Sequence, residues 1–435
     1  MANELMTNEP SPMSREPRAA SRDRTAGKAG AQIQRVILLV IDSLGLGEMP
    51  DVPRVRPQDR GADTLGNVVR TAGPLTLPNL ERMGLGTVAP TSGIRVEPHP
   101  VAAHGICFLG YEGADTYLGH QVLMGSRVPE VPEELFEVVG AEVAAALRRA
   151  GHRVEAARDG LAALFVDGAI VVGDNLESDP LQTYHCVGSL DDLAYDAILD
   201  VAEVVRGVAR VRRVVAMGGQ GFRAAEIRRS VERRPTGQCG VNNVALGLYT
   251  KRYVVRHLIR GSRPEVQVPT ILRRAGWPVA LIGKVADVIA CEGAEMEPHV
   301  PTPAVLEATL AALDRIPRGF IAVNIQEADL AGHDQDPRRY AEILRLSDQG
   351  VGEILARLTP GDVFIVTGDH GNDPTIGHDK HTREFTPLLV RGDGIPPRRL
   401  TPRESLADIA ATIADIFGVG QPEIGQSFWQ ELRPA

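Results

Sequence analysis

The sequence is poor in the residues that mark secreted, redox-active and membrane proteins. Its four cysteines, at positions 107, 186, 239 and 291, include no C-x-x-C pair, which excludes a zinc knuckle or a dithiol redox motif. Scattered cysteines predict unpaired thiols in a reducing compartment. No segment approaches the roughly 18 consecutive apolar residues that a membrane span requires. We therefore expect a cytoplasmic protein with no membrane partner.

Positive charge is also scarce. The chain has 47 Lys and Arg against 56 Asp and Glu, a formal net charge of −9, and this balance argues against a nucleic-acid partner. A small anionic substrate is compatible with it if metal ions or local basic residues neutralise that substrate. Residues 1–34 lack the apolar run of about 7–15 residues found in signal peptides. We predict a disordered N-terminal tail there.

The sequence does contain a series of short apolar runs, each ended by a polar or glycine-bearing turn. Runs such as VILLVID (36–42), FIAVNIQ (320–326) and VFIVTGD (363–369) are apolar on both faces, which is typical of strands buried in a parallel sheet. Amphipathic helical patterns lie between the runs, and several begin with Ser, Thr, Asp or Pro and end at Gly. This alternation predicts an α/β fold with a mainly parallel sheet flanked by helices.

The distribution of these elements predicts three parts of the chain. After the tail, residues 35–126 and 264–435 carry the polar strand ends described below, and we expect them to form one metal-binding catalytic core. Residues 127–263 have strands and helices of their own but few such strand ends. They are expected to form an inserted α/β cap domain.

Metal-capable side chains concentrate directly after the core strands. Ligands bind beyond the carboxyl ends of strands in open α/β sheets, so we expect these side chains to meet at one sheet edge. Mixed carboxylate and imidazole ligation suits Mn²⁺ or Zn²⁺, while oxygen-rich sites favour Mg²⁺. Two such ions about 3.5–4 Å apart can clamp a phosphoryl group. The side chains are Asp42, Asp329, His333, Asp369, His370 and His381.

A more specific pattern appears when eight stretches of the two flanks are taken together. In combination they resemble the phosphopentomutases, a family of the alkaline phosphatase superfamily that is related to the independent phosphoglycerate mutases. The resemblance implies an alkaline-phosphatase-like core. The stretches are IDSLGLGEMPD (41–51), GADTLGN (61–67), GADTYLGHQVLMG (113–125), GKVADVI (283–289), NIQEADLAGHDQD (324–336), TGDHGNDPT (367–375), HTREFTPLLV (381–390) and LADIAATIADIFGV (406–419).

Matching the motifs residue by residue implies two metal sites and a phosphorylated threonine. Thr116, in the DTYLGH segment, would bridge the metals and carry the phosphoryl group. Because a threonine hydroxyl is a weak nucleophile at neutral pH, it would need metal coordination to be activated. The implied cofactors are two divalent cations, Mn²⁺ with Zn²⁺ or Mg²⁺ as alternatives, and a sugar bisphosphate as activator. One metal would be held by Asp42, Asp369 and His370, and the other by Asp329, His333 and His381.

Further candidate site residues, Lys284 and His120 from the matching and the others from the sequence itself, each have an alternative. Lys284 would face the phosphate, or it is a solvated lysine at a strand end. His120 would act at the substrate or only support the loop around Thr116. Thr64, in a second GADT segment, is the rival nucleophile. Arg223 and Arg228 would supply a substrate contact, or they lie on a solvated helix face.

Three departures from the family pattern occur, two among the residues expected to read the substrate and one in the spacing of two metal ligands. Gln121 and Val122 replace a Trp-Glu pair after the nucleophile. Met217 stands where the family has a substrate-binding arginine. Asp329 and His333 are four positions apart rather than five. The metal chemistry therefore matches the family, while the identity of the sugar stays open.

The expected function is that of a metal-dependent phosphomutase. It would move a phosphoryl group between the 1- and 5-positions of a pentose phosphate, either ribose or deoxyribose phosphate, or of a related phosphosugar, through a phosphothreonine enzyme. A two-metal phosphatase or phosphodiesterase is the first alternative, since the same groups hydrolyse esters when water reaches the phosphoenzyme. A non-catalytic sugar-phosphate-binding protein is the second, and it predicts damaged metal ligands.

Overall fold

The computed structural model describes residues 33–127, 132, 134–178, 180–259 and 263–434. Almost all of the predicted tail, up to residue 32, lies outside these residues. The described strands are β1 (Arg35–Ile41), β2 (Ala103–Cys107), β3 (Val154–Ala156), β4 (Leu164–Val166), β5 (Ile170–Asp174), β6 (Thr183–Ser189), β7 (Arg213–Gly219), β8 (Val231–Arg233), β9 (Cys239–Val241), β10 (Tyr253–Ile259), β11 (Val279–Gly283), β12 (Glu295–Glu297), β13 (Gly319–Ile325), β14 (Asp362–Thr367) and β15 (Thr386–Gly392).

Helices alternate with these strands through most of the chain, as predicted. Short 3-10 helices cover Pro57–Asp59, Leu248–Thr250 and Pro264–Val266. The described α-helices are α1 (Val52–Val55), α2 (Thr64–Ala72), α3 (Pro78–Met83), α4 (Leu85–Val88), α5 (Thr116–Leu123), α6 (Phe136–Arg149), α7 (Tyr195–Val208), α8 (Ala224–Arg229), α9 (Val268–Arg274), α10 (Val285–Val288), α11 (Thr302–Arg315), α12 (Glu327–His333), α13 (Pro337–Arg357), α14 (Ala407–Phe417) and α15 (Trp429–Leu432).

The larger sheet has seven strands in the order β12-β11-β13-β1-β14-β15-β2. The first five are mutually parallel, while β15 runs antiparallel to both β14 and β2. The segment between β14 and β15 contains no helix. Since a parallel return requires a crossover, the chain turns back antiparallel instead. The predicted α/β fold with a mainly parallel sheet is confirmed, with an antiparallel edge.

Strand β1 is central because both of its faces are buried. Val36, Leu38 and Val40 pack into the apolar cluster under α5, α9 and α14. The alternate residues, Ile37 and Leu39 among them, pack into the cluster formed with α2, α11 and α13. A strand covered on both faces reads as a continuous apolar run. This explains why VILLVI was recognisable as a buried strand.

The second sheet has the order β10-β7-β6-β5-β4-β3, antiparallel except for the β6–β7 pair. Helices α6 and α7 cover one face, and α8 with the β8–β9 pair covers part of the other. These elements lie within the span predicted as a cap. Residues 128–131 and 260–262, near the predicted boundaries, are outside the described residues.

Two expectations from composition concern the cysteines and the membrane. All four cysteines are buried and unpaired. Among the helices of the described ranges, none combines the length and apolar character that a bilayer crossing needs.

Candidate active site

The polar strand ends converge at the carboxyl edge of the larger sheet. Asp42 directly follows β1, and Asp369 lies just beyond β14. Asp329 lies on α12, which begins shortly after β13. Because β1 pairs with both β13 and β14 in parallel, the ends of all three strands are neighbours. Side chains more than 300 positions apart in sequence therefore share one edge.

Distances within the cluster fit metal coordination. Asp329 takes part in both groups of residues whose potential ligand atoms lie within 4.8 Å of one another, one with His333 and His381, the other with Asp42 and His370. The Nε2 atoms of His333 and His381 are 3.1 Å apart. Such close nitrogens and oxygens are spaced as if around shared ions.

Several atoms of the cluster are buried without the partners that such groups need. Asp42 Oδ1 is buried and has no hydrogen-bond partner among the described residues. Nε2 of His370 is buried and faces only carboxylate oxygens, of Asp369 at 3.1 Å and of Asp42 at 3.5 Å. His333 and His370 each use Nδ1 to donate to a backbone carbonyl, of Asp379 at 2.7 Å and of Gly371 at 2.9 Å. This leaves Nε2 of both rings directed at the cluster, the arrangement found in histidine metal ligands. The donor set thus fits divalent cations.

The buried carboxylates of the cluster attract positive charge from their neighbours. Burial, reinforced by the carboxylate of Asp369, raises the pKa of Asp42 to about 7. Burial would lower the pKa of His370, but the carboxylates around it, Asp369 first and then Asp329 and Asp42, together outweigh burial and raise that pKa to about 9. Lys284 places Nζ 2.8 Å from Asp42 Oδ2 and 3.2 Å from Asp329 Oδ2. Divalent cations can supply the positive charge that Lys284 and the protonated histidine otherwise provide to the three carboxylates.

Thr116 is the first residue of α5 and points at this cluster. Its Oγ1 donates to Asp369 Oδ2 at 2.8 Å. Asp115 caps the helix by accepting from Leu118 N at 3.0 Å, which orients the first turn. Thr64, the rival, instead donates Oγ1 to the buried carboxylate of Glu384. Of the two threonines, Thr116 is the one hydrogen-bonded to a metal-capable carboxylate.

His120 and Gln121 support α5 and are absent from the residues lining the active-site cavity described below. His120 is fully buried, donates Nδ1 to Thr116 O at 2.8 Å and accepts from Asn324 Nδ2 at 3.0 Å. Gln121 donates to Val288 O at 2.9 Å. Both side chains connect α5 to neighbouring elements of the core. The Gln121 departure therefore changes a packing contact rather than the cavity wall.

A cavity of about 70 Å³ lies between the cluster and the second sheet. It is far smaller than the roughly 300–1,000 Å³ typical of ligand pockets. The core contributes Thr116, Lys284, Asp329, His333 and His381. The second sheet and its loops contribute, among others, Glu177, His185, Arg213, Met217, Tyr249 and Tyr253.

Most of the second sheet's contribution was missed by sequence reasoning. Glu177, Arg213 and Tyr249 all line the cavity, and Tyr249 stacks over the His333 ring at 6.2 Å between centroids. One signal was available for Arg213. It begins an apolar strand whose every residue is buried, and a charge in such a position requires a partner.

Arg223 and Arg228 are not brought to the cavity. Arg223 pairs with Asp192 at 2.7 Å on the exposed surface. Arg228 donates to the carbonyls of Ala157 and Ala156 and lies over the Phe165 ring. Each guanidinium is occupied by neighbours within the second sheet, so the substrate contact expected of them has no support.

Comparison with known proteins agrees with the geometry. The model of the metalloenzyme superfamily matches residues 34–421. The phosphopentomutase of Anaeromyxobacter dehalogenans is 33% identical over 425 residues, covering 92% of this chain and 98% of its own. The chain belongs to the phosphopentomutase family. A second phosphopentomutase, from Symbiobacterium thermophilum, is 32% identical, with 93% and 100% covered.

Family membership makes the chain an enzyme of the phosphomutase type, an isomerase that transfers phosphoryl groups. Together with the residue groups above, it also supports the use of divalent metal. Among solved structures, a Leishmania mexicana phosphoglycerate mutase is 14% identical, with a TM-score of 0.47 and 92% of this chain and 98% of its own covered. The expectations of an enzyme and of this family are confirmed.

Proposed function

We propose that the chain is a Mn²⁺-dependent phosphopentomutase of the cytoplasm. It would interconvert the 1- and 5-phosphates of ribose, deoxyribose or a related sugar through a phosphorylated Thr116. One observation carries the proposal: the Thr116 hydroxyl lies 2.8 Å from Asp369 Oδ2, and that oxygen is 3.1 Å from Nε2 of His370, a member of the metal-capable groups. Thr116 also lines the cavity that Lys284 shares.

The proposal gives the six candidate ligands one task. Asp42, Asp369 and His370 would hold one cation, and Asp329, His333 and His381 the other. When bound, the two cations would neutralise phosphoryl oxygens and lower the pKa of the threonine hydroxyl. The chain's own contribution is to orient that hydroxyl through Asp369 and to hold Lys284 beside Asp42 Oδ2, where it would face the phosphoryl group.

The transfer itself would occur in two balanced steps. In the first, a sugar hydroxyl attacks phosphorus, the Thr116 Oγ–P bond breaks, and the hydroxyl proton ends on the threonine oxygen. The product is a sugar bisphosphate. After it reorients, its other phosphate returns to Thr116 by the reverse exchange. A sugar bisphosphate added to the enzyme would phosphorylate the threonine before the first turnover and would therefore act as an activator.

Closure of the cap over the cluster would keep water from the phosphothreonine. We propose that residues 127–263 act as this cap and move relative to the core formed by 35–126 and 264–435. The small cavity, about 70 Å³, supports a closed state that has to open for a sugar phosphate to enter. Exclusion of water favours transfer to a sugar over hydrolysis.

Glu177 is our candidate for binding a sugar hydroxyl. It is buried, and its Oε2 accepts from Tyr249 OH at 2.9 Å and from Asn243 at 3.0 Å. Its Oε1 has no hydrogen-bond partner within the part of the chain that the structure describes. A free carboxylate oxygen in a cavity suits a hydroxyl donor.

Glu177→Gln is therefore expected to raise KM for the sugar phosphate about tenfold, equivalent to about 1.4 kcal/mol for one charge-assisted hydrogen bond. Steady-state kinetics would test this, with Glu155→Gln as the control. Glu155 lies on β3 of the second sheet with its side chain 48% exposed. Equal KM values for the two variants would remove Glu177 from the binding site.

Bound Mn²⁺ is also expected to stabilise the fold. It would relieve repulsion among Asp42, Asp329 and Asp369. At about a hundred times its Kd, each cation adds about 2.7 kcal/mol to the free energy of unfolding. Thermal unfolding of chelator-treated protein with and without Mn²⁺ measures the effect, and K⁺ at the same ionic strength is the control. A melting temperature that responds equally to both salts contradicts the metal site.

A second candidate function has one observation in its favour. A mutase must bind a second phosphate away from the reacting one. On the cap side of the cavity, however, the described lining residues include the carboxylate of Glu177 and the apolar Met217. Arg213 is held by Asp115, the residue before Thr116, and so lies near the reacting phosphate rather than a second one. This favours, as the alternative, a two-metal phosphatase or phosphodiesterase that acts on a substrate with a single phosphate. Inorganic phosphate as the dominant product would distinguish it.

A further inference from the structure

Arg213 connects the second sheet to the nucleophile. It is the first residue of β7, yet its Nη2 donates to Asp115 Oδ2 at 3.0 Å. Asp115 belongs to the core and directly precedes Thr116. Both side chains are only 5% exposed. This buried ion pair therefore spans the two sheets at the residue next to the proposed phosphorylation site.

The ion pair is held in its charged form on the Asp115 side. Burial alone would raise the pKa of Asp115, but the positive charge of Arg213, together with smaller effects that include the hydrogen bond from Leu118 N, outweighs it and the pKa falls to about 2. Asp115 uses its other oxygen to cap α5. Its carboxylate therefore links the guanidinium to the first turn of α5, which carries Thr116. A shift of β7 relative to the core would displace that turn.

The guanidinium retains donors for a further anion. Its described hydrogen bonds are the one from Nη2 to Asp115 and a long one, 3.4 Å, from Nε to Thr183. Nη1 has no hydrogen-bond partner among the described residues. The group also lies 6.0 Å from the ring centroid of Tyr117, the residue after Thr116. Arg213 thus lies close to both neighbours of Thr116, in the cavity that Thr116 lines.

The surroundings of Arg213 favour an anionic ligand there. His185 and His257 line the same cavity, and burial, followed by the charge of Arg213, lowers the pKa of both rings below their usual value. Both are neutral near pH 7, so they do not compete for an anion. Among the described cap residues that line the cavity, Arg213 is the one whose side chain is always positively charged.

We propose that Arg213 is a phosphoryl-binding residue carried by the cap, which contacts the phosphoryl group on Thr116 only when the cap is closed. The inference rests on the phosphorylation of Thr116 proposed above. Asp115 positions the guanidinium, and the free Nη1 donates to a phosphoryl oxygen. Phosphorylation thereby adds a bond between cap and core, so the state that most needs protection from water is the state that holds the cap shut.

The test measures how the phosphoenzyme partitions between sugar and water. Enzyme loaded with a sugar bisphosphate in Mn²⁺ is mixed with a sugar monophosphate, and ³¹P NMR follows isomerised sugar and inorganic phosphate. For Arg213→Gln, the ratio of phosphate released to sugar isomerised is expected to rise at least about tenfold. Transfer to the sugar loses a charged hydrogen-bond donor, and the closed cap loses its contact with the phosphoryl group. A ratio equal to that of the unmodified protein would overturn the inference.

Two further variants separate binding from folding. Arg213→Lys keeps the charge but loses the planar fork, so we expect an intermediate ratio. It carries the test if Arg213→Gln does not fold, and a ratio equal to that of the unmodified protein in Arg213→Lys would then overturn the inference. Arg210→Gln is the matched control, because Arg210 pairs with Glu134 at 2.8 Å with its side chain 47% exposed, and its ratio should stay unchanged. Absence of phosphothreonine in the unmodified protein would instead refute the proposed function.

Discussion

Thr116→Ala is expected to abolish the phosphoenzyme and to lower turnover by at least about a thousandfold, the scale seen when a covalent nucleophile is removed. The Thr116 hydroxyl donates to Asp369, which lies beside His370. Alanine offers no oxygen that could accept a phosphoryl group. Incubation with a sugar bisphosphate and Mn²⁺, followed by mass spectrometry of the peptide containing residue 116, measures the modification directly.

Thr64→Ala is the control for this experiment. Thr64 also follows Gly-Ala-Asp, but its hydroxyl donates to Glu384 and accepts from Asn372 N. Its loss should cost about 1–3 kcal/mol of stability through the unsatisfied groups left behind, while phosphorylation of Thr116 persists. Loss of the phosphoenzyme in a folded Thr64→Ala protein, with its retention in Thr116→Ala, would reverse the assignment.

Asp329→Asn is expected to have the second large effect. Asp329 belongs to both groups of metal-capable residues, with Oδ2 3.5 Å from His333 Nε2 and Oδ1 3.4 Å from His381 Nε2. Asparagine keeps the shape but removes the charge that ligates hard cations. Mn²⁺ binding at equilibrium should fall below two ions per chain, and turnover should fall by at least about a hundredfold, because lost ligation costs affinity as well as phosphoryl stabilisation.

Asp334→Asn makes the same chemical change just beyond the end of α12. Asp334 pairs with Arg339 at 2.6 Å, outside the cluster. Its replacement should leave both Mn²⁺ ions bound. Equal Mn²⁺ stoichiometry in the Asp329 and Asp334 variants would show that Asp329 is no ligand.

The core of the site was predictable because its residues follow strands with an unmistakable pattern. Apolar runs that are buried on both faces identify parallel strands, and a polar residue at the end of such a run has little reason to be there except function. Asp42 and Asp369 could be recognised in this way. Their proximity depends on β1 lying between β13 and β14, and the apolar runs alone do not specify that order.

The substrate side of the cavity was not predictable in the same way. Glu177 and Arg213 act across the gap between two sheets, and no periodicity within either sheet encodes how the sheets meet. Arg223 and Arg228 attracted attention as part of a basic stretch, yet each is satisfied by neighbours within the second sheet. A cluster of like charges in sequence indicates a solvated face more often than a binding site.

The most direct test of the account is ³¹P NMR of the purified enzyme with Mn²⁺ and a catalytic amount of a sugar bisphosphate, over a panel of sugar 1- and 5-phosphates. A phosphopentomutase is expected to interconvert one 1- and 5-phosphate pair without accumulation of inorganic phosphate, and that pair identifies the sugar. Steady growth of inorganic phosphate with no interconversion would contradict it and establish a hydrolase on the same metal centre.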